Sequence, residues 1–197
     1  GFCTRHFELM YQRRNRLGLA LMTHTHMQEV VKDLKRILES GNASKGFFSA
    51  LRGGKSSPAH GEQIRSRLSG CVICEQINSA LERYAYTIAQ LYGSNAEFKQ
   101  MFEQSKGFCL PHLALILDMA ERTLPSSQNA AFTSALAALE LQNLDRIEKE
   151  LEWFTLKFDY RNTDKPWGNS RDAVERSINK LMGACVGEEA QMPAHND

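Results

Sequence analysis

The sequence predicts an all-α protein, a helical bundle built from two tandem repeats of which the first is truncated at its N-terminus. Three observations carry that prediction. Apolar residues recur at steps of three and four along almost the whole chain, the spacing of one helix face. No stretch alternates apolar and polar residues as a half-buried strand does. The heptapeptide at Gly1–Phe7, GFCTRHF, returns at Gly107–Leu113 as GFCLPHL with its Gly, Phe, Cys and His in place, a self-similarity that points to repeated architecture.

In chain order, residues 1–40 form the first, partial repeat, with a long helix whose Met27, Val30, Leu34 and Ile37 step by three and four. Residues 41–70 are rich in glycine and serine and read as a linker. Residues 71–183 form the second repeat. Its first helix carries Cys74, Ile77, Leu81, Tyr84, Ile88 and Leu91 on one face and ends at Gly93–Asn95. A short helix follows with Phe98, Met101 and Phe102 inward and Gly107 as its cap. The next helix has Cys109 at the N-cap and Pro111 in the first turn, where a missing N–H costs nothing. After the loop at 125–129 comes a helix of about thirty residues, with Leu144, Ile147, Leu151, Phe154 and Phe158 in heptad rhythm. A last helix carries Ala173, Ile178 and Leu181, and residues 184–197 form a polar tail.

Composition narrows the function. The chain has 197 residues, 42% hydrophobic and 24% charged, which suits a folded globular protein. Its 24 basic and 23 acidic residues nearly cancel, so no basic field points to nucleic acid. No apolar run approaches the roughly 18 to 20 residues that span a bilayer, and no signal peptide is visible. The expected setting is the cytoplasm, with no membrane and no nucleic acid as partner. Five cysteines without a secretion signal favour metal or redox chemistry over a disulfide framework. No hydrolytic triad, phosphate-binding loop or dinucleotide fingerprint is present, so the reading leans away from an enzyme.

The chemistry lies in the cysteines and histidines. Cys71 and Cys74 form a CxxC pair, and Cys109 and His112 form a CxxH pair downstream. Each pair brings two ligand atoms together locally, and a two-helix excursion between them can return the chain to its start. Three thiolates and one imidazole in two such pairs make a tetrahedral zinc site, so Cys71, Cys74, Cys109 and His112 are the expected metal ligands. A thiolate at a helix N-cap is stabilised by the macrodipole. By the repeat offset, the CxxC partners of Cys3 and His6 should lie about 35 residues before Cys3, and these two are expected to form an incomplete second site: the chain is a fragment, the first site is degenerate or another molecule supplies the missing ligands, with the fragment the favoured reading. Structural zinc in a bundle used as a binding module is the first reading. An iron–sulfur cluster on the same ligands is the second. A CxxC dithiol redox protein is the third, weakened because such motifs follow a strand.

The pattern of CxxC, two helices, GFCxxH, a long helix and then KFDYRNTDKPWG at Lys157–Gly168 resembles an uncharacterised bacterial family, frequent in Firmicutes, of tandem-repeat helical proteins. The resemblance spans Gly1 to Gly183. It implies the helical architecture and metal binding at CxxC and GFCxxH; it implies no activity. Members carry a CxxC ahead of the first GFCxxH as well, which this chain lacks.

Other residues carry two readings. Tyr160, Arg161 and Trp167 could clamp an anionic or planar ligand, or Trp167 docks the last helix while Asp159 and Arg161 cap helix ends. His24 and His26 are two apart, on different helix faces, and cannot chelate together. Cys185 reads as a free thiol. The partner is an unidentified protein or small molecule, and heptad seams allow a homodimer.

Overall fold

In a computed structural model of the chain, residues 1–40 and 59–187 are described. They form eight α-helices and no strand: α1 (Thr4–Gln12), α2 (Arg16–Ser40), α3 (His60–Leu68), α4 (Val72–Ser94), α5 (Ala96–Glu103), α6 (Leu110–Thr123), α7 (Ser126–Leu156) and α8 (Ala173–Met182). The all-α class is as expected. The chain divides into two compact units, Gly1–Ser79 and Ala80–Asp197. Most of the expected linker, 41–58, and most of the expected tail, 188–197, lie outside the described residues.

The first unit is thinly packed. Helix α1 lies against α2, and α2 against α3. Arg14 takes a left-handed φ of 62° after α1, and the Asn15 side chain then caps α2 by accepting from the Gly18 N–H at 3.0 Å. Helix α3 stands where the sequence reads as linker. The Arg67 guanidinium is ion-paired with Asp33 of α2 at 2.8 Å, a tertiary contact that glycine and serine content hides. Among the described residues of this unit, Cys71 alone is fully buried. Leu17, Leu21, Met22 and Met27 of α2 are exposed, so Met27 is not a core residue as the periodicity suggests.

The second unit has a dense core. Ala85, Ala89, Phe102, Ile116, Met119, Ala120, Phe132, Leu136 and Leu139 are buried together. Phe102 and Phe132 sit 5.7 Å apart, and Tyr92 meets both edge-on at 5.2 and 5.1 Å. Helix α4 turns its alanines inward, so Ile77 and Tyr84, expected inside, are exposed. Small residues there let α4 come close to the aromatic cluster. Met101 and Phe158 are also exposed, and in α8 the buried positions are Ala173, Ser177 and Lys180 while Ile178 and Leu181 face out. The expected 125–129 loop is shorter, because α7 starts at Ser126 with Pro125 as its N-cap.

After α7, Lys157 is buried and its ammonium donates to the carbonyls of Asn162, Thr163 and Lys165 at 2.7, 2.8 and 2.6 Å. This uses all three of its hydrogens. The Asp159 carboxylate accepts from the Arg161 N–H at 2.9 Å and pairs with its guanidinium. Trp167 packs on Phe154 at 5.7 Å, with Lys157 5.2 Å from its ring centre. Trp167 thus packs on α7 rather than on the last helix, where it was expected; Asp159 caps the short 3-10 turn Tyr160–Asn162 through the Arg161 N–H, and Tyr160 is 86% exposed.

Candidate metal centre

Two helix N-termini meet in the first unit. Cys3 is the N-cap of α1 and His6 lies in its first turn. Cys71 precedes α4, accepting the Glu75 N–H through its carbonyl, and Cys74 is in the first turn of α4. The Val72 N–H donates to the Gly1 carbonyl at 3.2 Å and ties the two ends together. His26 of α2 closes on Gly1, where a Cβ would stand 2.8 Å from the imidazole Nε2, so this glycine permits a close approach.

The four side chains converge. His6 Nδ1 lies 3.2 Å from Cys3 Sγ, 3.4 Å from Cys71 Sγ and 3.3 Å from Cys74 Sγ, and the Cys3 and Cys74 sulfurs are 3.8 Å apart. All four ligand atoms lie within 4.8 Å of one another. Ligands held at metal–nitrogen and metal–sulfur lengths around a tetrahedral ion lie roughly 3.5 to 3.8 Å apart, so one ion fits among these atoms.

The protonation states fit the same use. Burial acts upward on the Cys71 thiol, but hydrogen bonds from the Cys74 and Cys3 backbone N–H groups and from Cys74 and His6 outweigh it and lower its pKa to about 6. Cys74 is raised to about 11, first by its hydrogen bond to Cys71, then by burial and by Cys3. One thiolate is therefore favoured and further ones are opposed by crowding of like charge. A bound dication removes that opposition.

This grouping differs from the expected one. Cys71 and Cys74 were expected to join Cys109 and His112; among the described residues, the group of three or more ligands is Cys3, His6, Cys71 and Cys74. The first GFCxxH, expected to be incomplete, is the copy that has partners. The two-helix excursion after Cys74 is expected to return the chain to its start; α4 has 23 residues and α5 has 8, so the second helix runs only about a third of the length of the first. No sequence signal separates the two pairings, since both CxxH copies have the same spacing. The proximity of Gly1 to the CxxC is a long-range contact.

The second copy is built differently. Cys109 caps α6, its Sγ 3.2 Å from His112 Nδ1. Gly107 has φ +68°, and a Cβ on it would collide with the Glu140 carboxylate, so this glycine serves a close approach rather than a helix cap. Glu140 accepts the Phe108 N–H through Oε1 at 2.5 Å and the Lys180 ammonium through Oε2 at 2.5 Å. Lys180 also donates to the Lys106 carbonyl at 3.2 Å. Glu140 and Lys180 are both buried, and Phe108 packs on Phe102 at 5.9 Å. A buried ion pair thus clamps the loop that leads into the second motif.

No helix among the described residues is long and apolar enough to cross a membrane. Comparison with curated proteins and with solved structures found no match. Residues 1–188 match the family of unknown function DUF6062, and the chain belongs to that family.

Proposed function

We propose that this member of the DUF6062 family binds one zinc ion through Cys3, His6, Cys71 and Cys74, and that the ion is a structural staple of a helical interaction module. The observation that carries the reading is the convergence of three thiols and one imidazole at separations suited to a single tetrahedral ion. Four protein ligands close the site, which is the arrangement of structural rather than catalytic zinc. Soft thiolates with an imidazole select zinc over harder ions. A four-iron cluster takes one ligand per iron and spreads its ligand atoms around a cube, so the tight group supports one ion over a cluster. The free thiols fit a reducing compartment such as the cytoplasm. The exposed Leu17, Leu21 and Met22 of α2 support a protein partner for the module.

Metal analysis with a visible spectrum on anaerobically purified protein tests this. One tightly held zinc per chain, without colour, is expected. Cys3→Ser and Cys71→Ser should both lose it, and Cys109→Ser should keep it. Iron with visible absorption, or zinc lost in Cys109→Ser and retained in Cys3→Ser, overturns the reading.

A further inference from the structure

We propose that Cys109, His112 and Cys185 form a second, open site for a thiophilic d10 cation such as zinc or copper(I), assembled wholly within the second unit. The proposal rests on the reading that the Cys and His of GFCxxH are a ligand pair. The second copy keeps that pair intact: Cys109 Sγ and His112 Nδ1 are 3.2 Å apart, the same separation as Cys3 and His6. Cys109 sits at the N-cap of α6, and its side chain makes no capping hydrogen bond there. The thiol is part-exposed and the imidazole exposed, so an ion can reach both.

The third ligand comes from the end of α8. That helix ends in Gly183, with φ 65°. A Cβ on Gly183 would stand 3.0 Å from Cys109 Sγ and 3.8 Å from Pro111 Cγ, so the end of α8 abuts the thiol of the second motif. Cys185 follows two residues later, within about 7 Å of chain from Gly183. The segment does not run away from α8, because the Val186 N–H donates to Asn179 Oδ1 at 2.9 Å and the Asn179 amide donates to the Val186 carbonyl at 3.3 Å. Gly183 to Val186 is a short hook pinned at both ends, with an exposed cysteine on it. In the structure that exposed thiol is not grouped with Cys109 and His112, so ligation by all three requires its side chain to swing toward the pair.

Two thiolates and one imidazole are soft ligands, suited to zinc, cadmium and copper(I). Three protein ligands leave a fourth tetrahedral position to water or an exogenous ligand. The site is therefore weaker and more exchangeable than the closed group at Cys3.

Cadmium titration of the full chain, stripped of metal under reducing conditions and followed by thiolate-to-cadmium charge-transfer absorption, tests this. Wild type is expected to take two equivalents, the second more weakly. Cys185→Ser, at an exposed position, should leave the first unchanged and weaken the second by at least roughly tenfold, since losing a ligand costs no less than losing a group that merely orients one. Cys3→Ser should remove the first equivalent alone. A second equivalent undiminished in Cys185→Ser, or a wild type that stops at one equivalent lost in Cys3→Ser, overturns this site and leaves the zinc at Cys3 standing. A first equivalent that survives Cys3→Ser overturns the reading of the first site instead.

Discussion

The hexapeptide motif GFCxxH occurs twice, and the two copies are held in place by different means. In the first, Cys3 and His6 meet Cys71 and Cys74 in a unit where Cys71 alone is fully buried among the described residues. In the second, Phe108 joins an aromatic core and Glu140 with Lys180 grips the preceding loop. The difference teaches that a shared motif fixes a local geometry, a cysteine at a helix N-cap with a histidine one turn on, while the surroundings decide what stabilises it. A small unit with little apolar burial needs another source of folding energy; the larger unit has one in its core.

Metal removal should break the comparison most strongly. Structural zinc contributes apparent free energies on the order of 10–16 kcal/mol in small domains at neutral pH. Chelation should therefore abolish hydrogen-exchange protection in α1 while α6 and α7 retain theirs. Equal loss in both units, or none, would show that the two do not differ in this way.

The reverse experiment acts on the second unit. Phe132→Ala removes a fully buried ring from the core and should cost about 3–5 kcal/mol in denaturant unfolding, with the metal content of the first unit unchanged. A comparable effect should come from Lys180→Met, which leaves the buried Glu140 carboxylate without its cation, a loss of about 3–5 kcal/mol. Adding Glu140→Gln should recover much of it, because Gln keeps an acceptor for the Phe108 N–H. If the double variant is no more stable than Lys180→Met, the pair is not the clamp described.

The smallest effect is acid dependence. Burial acts upward on Glu150, but hydrogen bonds from Arg176 and Arg146 outweigh it and hold its carboxyl below the ordinary range. A carboxyl lowered by folding stabilises fully above its unfolded pKa, about 4.3. That contribution is lost as pH falls through the lower folded value. The Arg176 contact links α8 to α7. Glu150→Gln should flatten the stability of the second unit between about pH 5 and 3 by about 1 kcal/mol or less. An unchanged slope in that variant would assign the acid sensitivity to other carboxylates.

Much of the fold was legible in the sequence. The three-four spacing found the helices of the second unit, Gly93–Asn95 marked the end of one, and Cys109 and Pro111 marked the start of another, because capping and proline chemistry are local. Which face turns inward was less legible. Ala85 and Ala89 carry no strong hydrophobic signal, yet they line the core because the aromatic cluster needs small neighbours. The candidate site was half legible. Residue types and spacing identified ligands, but the partner of Cys71 and Cys74 depends on a contact between Gly1 and Val72 that spacing does not encode. The buried Glu140 and Lys180 left no signal either, since both read as solvated helix residues.

The carbonyl cage around Lys157 has a further consequence. Three main-chain oxygens converge on one ammonium much as they would on a potassium ion, so this turn carries its counter-charge covalently. Its shape therefore does not depend on which alkali ion the solvent offers. Acylation of that amine would remove its charge and leave it one N–H, freeing at least two of the three oxygens in the turn that carries Trp167.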